Sequence, residues 1–201
     1  MADANWVYND NVKDHFMNPR NILDDPETYD EDGKGMTGNI KCGDEMLFVI
    51  KVDKQKGIIT DCKWKTFGCA SAIASTSKLS EMVIGMNIED AYKIQPDAII
   101  KELGGLPDKK IHCSVLGDKA LRAAIDDYYR RNGMEEKITT AKAMVVCNCM
   151  NVTDHDIEEA VLDGVKTWEQ LQGRTKIGTV CGECKEEAQV IMQNFLDKYF
   201  T

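Results

Sequence analysis

The chain has 201 residues, 43% of them hydrophobic, with 25 basic and 34 acidic residues and a net charge of −9. That length holds one ordinary domain, or a medium one followed by a small one, and the acidic balance carries none of the basic footprint expected of a nucleic-acid binder. No run approaches the roughly 18 consecutive apolar residues of a membrane helix. The opening Met1-Ala2-Asp3-Ala4-Asn5 has neither the basic nor the apolar stretch of a secretory leader, so the chain reads as cytoplasmic, with no nucleic-acid or membrane partner.

Taken in order, residues 4–17 predict a short helix, stopped at Asn18-Pro19 because the residue before proline avoids helical geometry. Residues 20–36, with Pro26, Gly33 and Gly35, read as loop. Three strand-like runs follow at Thr37–Lys41, Met46–Asp53 and Ile58–Thr66. In the second, Met46, Phe48, Ile50 and Val52 share one face at period two. Asp53–Gly57 suits a hairpin turn, and short connections favour an antiparallel sheet.

Helical spacing then covers 70–84, with Gly85 as a stop, and 88–94 behind an Asn87 cap. Pro96 opens a further helix that ends at Gly104-Gly105. The longest covers 114–131, with Val115, Leu116, Leu121, Ala124, Ile125 and Tyr128 as its buried stripe. Met134–Lys142 is charged and threonine-rich, a linker. Helices at 154–163 and 184–200 complete the chain. The expectation is α+β: domain 1–133 with a small antiparallel three-stranded sheet packed by helices, linker 134–144, then a small helical domain over 145–201.

The eight cysteines carry the chemistry. In a reducing compartment they are poor candidates for structural disulfides and better ones for metal or thiol chemistry. Cys147-Asn148-Cys149 and, 31 residues on, Cys181-Gly182-Glu183-Cys184 can gather four thiolates at one place. Four thiolates suit zinc or an iron–sulfur cluster, and the CxC spacing leans towards [2Fe–2S]. Thr153-Asp154-His155-Asp156 has the form of a capping box, so two helix N-termini are expected to face the anionic centre. His155 reads as a surface residue.

The rest lie where elements end: Cys42 with Asp44, Cys69, and His112-Cys113. Loop-borne residues on a rigid scaffold are where chemistry is usually placed. Cys62 falls inside a strand and reads as packed; His15 belongs to the first helix without a ligand role. Taken alone, the ordinary readings of Asp44 and His112 are a turn residue and a cap or core histidine.

Over residues 145–201 the chain resembles the bacterioferritin-associated ferredoxin-like [2Fe–2S] domains. Lys41-Cys42-Gly43-Asp44, Phe67-Gly68-Cys69-Ala70-Ser71-Ala72-Ile73-Ala74-Ser75, Leu106-Pro107-Asp108-Lys109-Lys110-Ile111-His112-Cys113-Ser114 and His15-Phe16-Met17-Asn18-Pro19-Arg20-Asn21 resemble the NifU/IscU-type cluster-assembly scaffolds. The resemblance covers residues 5–133 in order, and joined to the second domain the arrangement looks like NifU. It implies a scaffold rather than an enzyme. A labile [2Fe–2S] or [4Fe–4S] cluster, or zinc, would be held by Cys42, Asp44, Cys69, His112 and Cys113. Cys147, Cys149, Cys181 and Cys184 would hold a permanent [2Fe–2S] centre.

The implied partners are a cysteine desulfurase, an electron donor and apo iron–sulfur recipients, with Cys113 as the candidate sulfur acceptor. A homodimer would let two protomers share clusters. Leu106-Pro107-Asp108-Lys109-Lys110 departs from the Leu-Pro-Pro-Val-Lys of relatives served by a dedicated chaperone, and the third, CxxC-bearing domain of full-length NifU does not fall within these 201 residues, which leaves open a natural two-domain form or a piece of a longer protein. The alternatives are an electron-transfer ferredoxin with a docking domain, or a zinc protein.

Overall fold

A computed structural model describes residues 8–39, 44–106, 111–139 and 143–200, the side chains of Asn39, Asp44 and residues 111–115 apart. The chain forms two units, Met1–Thr140 and Ala141–Thr201. In the first, helix α1 (Asp10–Met17) precedes strands β1 (Gly33–Asn39), β2 (Asp44–Asp53) and β3 (Ile58–Phe67), joined in an antiparallel sheet of order β1-β2-β3. Helices α2 (Ala70–Val83), α3 (Ile88–Ala91), α4 (Pro96–Glu102) and α5 (Ile111–Arg131) follow. The period-two face emerges as read: Met46, Phe48, Ile50 and Val52 are all buried, with Trp64, Leu79, Leu121 and Ile125 in the same core.

Strand β1 begins at Gly33, four residues earlier than the sequence reading, and takes in part of what reads as loop. Gly33 and Gly35 are there because the strand lies directly against α5. A Cβ at Gly35 would sit 2.2 Å from the Ala120 carbonyl oxygen and 2.3 Å from the Ala124 nitrogen; one at Gly33 would sit 2.3 Å from the Ala124 carbonyl oxygen. Only a residue without a side chain permits that approach. On the outer side of this strand Asp127 of α5 accepts the Lys34 backbone N–H at 2.9 Å.

Helix α2 is held to α1 by an unusually polar seam. Buried His15 Nδ1 is 2.8 Å from Ser77 Oγ, Ser77 Oγ also accepts the Arg20 backbone N–H, and Asn21 donates to Ser80 Oγ. Cys62 is fully buried with its Sγ 3.6 Å from the Ser80 carbonyl oxygen, and burial pushes its thiol well above the ordinary cysteine range. Both residues sit as the sequence reading has them, one in a strand and one in the first helix.

The first unit runs on past residue 133. Glu135–Lys137 forms a single 3-10 turn, Lys137 Nζ meets Glu89 Oε1 at 2.8 Å, and the Thr139 backbone N–H donates to Tyr92 Oη. Much of the stretch read as linker is thus fastened to the first unit.

The second unit opens with a two-stranded hairpin, β4 (Val145–Cys147) and β5 (Val152–Thr153), which the sequence reading did not contain. Helix α6 (Asp154–Leu162) follows, then α7 (Trp168–Thr175) and α8 (Lys185–Phe200). Helix α7 also went unread, although Thr167-Trp168-Glu169-Gln170 announces it: Thr167 Oγ1 accepts the Gln170 N–H. The core is small, built on Val146, Val152, Ile157, Val161, Leu171 and Ile177. Tyr199 closes it from the far end by donating to buried Glu158 at 2.6 Å.

Two glycine-to-alanine changes should act with opposite sign. Gly35→Ala pushes a methyl into α5 backbone that cannot swing aside, and should cost about 3 kcal/mol. Gly173 lies in α7 with nothing within 4 Å of a Cβ, so Gly173→Ala should stabilise by about 0.5–1 kcal/mol. Urea unfolding of the full chain should lower the midpoint of the first unit's transition in one variant and raise that of the second unit in the other.

Candidate metal centres

The sheet register decides where the first cysteine set falls. Asn39 of β1 pairs with Asp44 of β2, and Glu45 of β2 pairs with Phe67 of β3, so the β1–β2 connection and the exit of β3 lie at one end of the sheet. Cys69 follows two residues after Phe67 and caps α2, its carbonyl accepting the Ile73 N–H at 3.1 Å. The side chain is half-buried.

Helix α5 arrives at the same end. Gly33 touches it at Ala124 and Tyr128, Gly35 at Ala120 and Ala124, so strand and helix run in opposite directions. From Gly35 to Asn39 the strand advances about 13 Å at about 3.3 Å per residue. The helix covers that distance in about nine residues at about 1.5 Å each, which carries it back from Ala120–Ala124 into its first turn, at His112 and Cys113. The backbone therefore gathers the start of β2 at Asp44, the Cys69 cap and the first turn of α5 at one end of the sheet. Cys42 lies outside the described residues, as do the side chains of Asp44, His112 and Cys113.

The second set is described in full. Cys147 ends β4 and Cys149 lies in the turn after it; Cys181 lies in the loop after α7, and Cys184 immediately precedes α8. The four thiols divide by burial into an exposed pair and a buried pair. Cys149 Sγ lies 3.4 Å from Cys181 Sγ, and both residues are exposed. Cys147 and Cys184 are buried, 2% and 8% exposed.

Backbone geometry serves the buried pair. Gly178, in the left-handed region at φ +68°, presents its N–H to the Cys147 sulfur, and Met150 adds a second. These donors hold the Cys147 thiol below the ordinary cysteine range despite its burial, whereas burial and the neighbouring Cys147 push Cys184 up. The hydrogen bond to Cys181 raises Cys149. Four sulfur donors, two of them buried, suit a thiolate-bound metal centre. Among the described residues, no three Cys, His, Asp or Glu side chains close on one point as a single ion would require.

Of the two helix N-termini expected at this site, α8 follows directly on Cys184, but the first amides of α6 are engaged elsewhere: Asp154 N donates to the Met144 carbonyl, His155 N to Asp154 Oδ1 and Asp156 N to its capping box. Thr153 Oγ1 accepts from Asp156 N, and Asp156 Oδ2 accepts from Thr153 N at 2.8 Å. His155 is exposed on that turn.

Comparison with known proteins agrees with this division. A family model described as the NifU-like N terminal domain matches residues 7–135, and a BFD-like [2Fe-2S] binding domain matches 145–194. The iron-sulfur cluster assembly scaffold protein IscU 1 of Archaeoglobus fulgidus is 51% identical over 132 residues, which is 66% of this chain and 83% of that protein. The IscU scaffold of Aquifex aeolicus is 48% identical over 132 residues, 66% of this chain and 82% of that protein. The nitrogen fixation protein NifU of Trichormus azollae is 36% identical over 193 residues, 94% of this chain but 64% of that protein. The chain thus spans a little under two thirds of that NifU's length. With both cysteine sets falling inside domains of known type and in their order, the chain belongs to the NifU/IscU family of iron–sulfur cluster assembly scaffolds, extended by a BFD-like [2Fe–2S] binding domain.

Proposed function

We propose that the chain builds a transient iron–sulfur cluster on its first unit and passes it to apo-proteins, while the second unit keeps a [2Fe–2S] centre of its own. The supporting observation is the contrast between the two donor sets. The first, Cys42, Asp44, Cys69, His112 and Cys113, mixes three thiolates with oxygen and nitrogen donors, which match iron–sulfur chemistry less well than a fourth thiolate. The second is all sulfur, with two cysteines buried and backbone N–H groups turned on Cys147. The mixed set releases its cargo; the sulfur set retains its centre, which supplies one-electron chemistry when bound.

Sulfur would come as persulfide from a cysteine desulfurase, with Cys113 the acceptor because it lies in the first turn of α5, where the helix terminus favours a thiolate. The chain carries out no turnover reaction of its own; carbon–sulfur cleavage belongs to the desulfurase. An external donor would supply electrons through the second unit, and the recipients are nitrogenase or housekeeping iron–sulfur proteins. No described helix is long and apolar enough to cross a membrane, in keeping with action in the cytoplasm.

Iron and acid-labile sulfide per chain, measured anaerobically before and after incubation with a desulfurase, cysteine and ferrous iron, test this. A baseline of about two irons should rise, with the increment alone lost to a chelator. Stoichiometric zinc without sulfide would overturn the reading.

The two sites should also separate by mutation. Cys69→Ala should abolish the increment and leave the baseline, and Cys184→Ala should remove most of the baseline and leave the increment. If Cys184→Ala removed both, the sites would not be independent.

A further inference from the structure

Four thiolates can be divided between two irons in three ways. The arrangement the sequence spacing invites is along the chain, Cys147 with Cys149 on one iron and Cys181 with Cys184 on the other. The structure pairs them otherwise. Two thiolates on one tetrahedral metal stand about 3.8 Å apart when each bond is about 2.3 Å. Cys149 Sγ and Cys181 Sγ, 32 positions apart in sequence, already stand at 3.4 Å. That leaves Cys147 and Cys184, both buried, as the other pair.

We propose that the [2Fe–2S] centre is bound crosswise: an inner iron on Cys147 and Cys184, and an outer, solvent-facing iron on Cys149 and Cys181. The proposal rests on the reading of these four cysteines as the ligands of the retained centre. Burial separates the pairs cleanly, since both inner cysteines are buried and both outer ones exposed.

Crosswise binding has a structural consequence that chainwise binding lacks. Each iron then joins the β4–β5 hairpin to the segment between α7 and α8, so the two halves of a small core are tied twice. Bound along the chain, each iron would close only a local loop, and the halves would meet through the bridging sulfides alone. Met150 and Val180, both exposed, flank the outer pair in sequence, which makes the outer iron the edge at which an electron carrier reaches the centre.

Mössbauer spectra of the full chain reconstituted with ⁵⁷Fe, after a chelator has removed the labile iron, test the pairing through cysteine-to-serine double variants. Cys149→Ser with Cys181→Ser should place two oxygens on one iron and none on the other, giving two well-separated doublets. Cys149→Ser with Cys184→Ser, and Cys147→Ser with Cys149→Ser, should each leave one oxygen per iron and two near-equal doublets. Separated doublets from Cys147→Ser with Cys149→Ser would overturn the proposal in favour of chainwise binding.

Disulfide mapping of the stripped native chain, mildly oxidised with diamide, needs no assembled variant. Trypsin leaves Cys147 and Cys149 on residues 143–166, and Cys181 and Cys184 on residues 177–185. The two peptides should come off joined. Disulfides confined within each peptide would overturn the pairing. Zinc without labile sulfide in the unaltered chain would instead sink the retained-cluster reading on which the pairing rests, so the two failures are distinguishable.

Discussion

The first unit depends on how closely β1 can lie on α5. A strand carrying ordinary side chains packs on a helix with a layer of carbon between the backbones. Here Gly33 and Gly35 remove that layer on the strand side, and Ala120 and Ala124 reduce it on the helix side. The result is a direct backbone-to-backbone seat with a fixed register. That register carries the first turn of α5 to the end of the sheet where β1 turns into β2 and β3 gives way to α2. The assembly site is thus a product of packing elsewhere: no residue that holds it in place needs to be near the metal.

The second unit is built on a different balance. It has 61 residues, two very short strands and a core of a dozen or so side chains, and a domain of that size buries too little surface to be robust on apolar packing alone. Polar ties supply part of the difference: the Thr153–Asp156 box, the Tyr199–Glu158 hydrogen bond, and the Arg174–Asp163 ion pair that fastens α7 to the end of α6. Metal at the four cysteines would supply more, because binding that requires the folded arrangement adds its free energy to folding. The first unit, with its larger core, would keep its architecture on releasing a metal; the second would have more to lose.

What the sequence made legible follows from how local each signal is. The faces of β2 and α5 and the stops at Gly85 and Gly104 are written within a few residues and were readable. So were both cysteine sets, because CxC and CxxC are local and the first set rides on family strings. Strand β1 was misread at its start because a glycine's usual meaning is a break; its meaning here depends on α5, about ninety residues away. Helix α7 was missed with its cap in plain view, since eight residues around Gly173 make a weak period. The Cys149–Cys181 sulfur contact was invisible in principle: it links residues 32 positions apart, and the spacing points the other way.

The two cysteine sets differ in more than ligand count, and the difference is one of where protection comes from. At the sheet end, the backbone positions are contributed by the start of β2, the cap of α2 and the first turn of α5, three element termini. Cys69, the one of its set whose side chain is described, is half-buried. A cluster there can be reached by a partner from solvent, and its oxygen and nitrogen donors can exchange. At the second set, half the sulfur is already inside a packed core, held by Gly178 and Met150 N–H groups that would have to be uncovered before the metal could leave. On the proposed reading, release from the first site would cost a ligand exchange, and release from the second part of a fold. On that same reading, the asymmetry would let one chain hold one cluster in order to give it away and another in order to keep it.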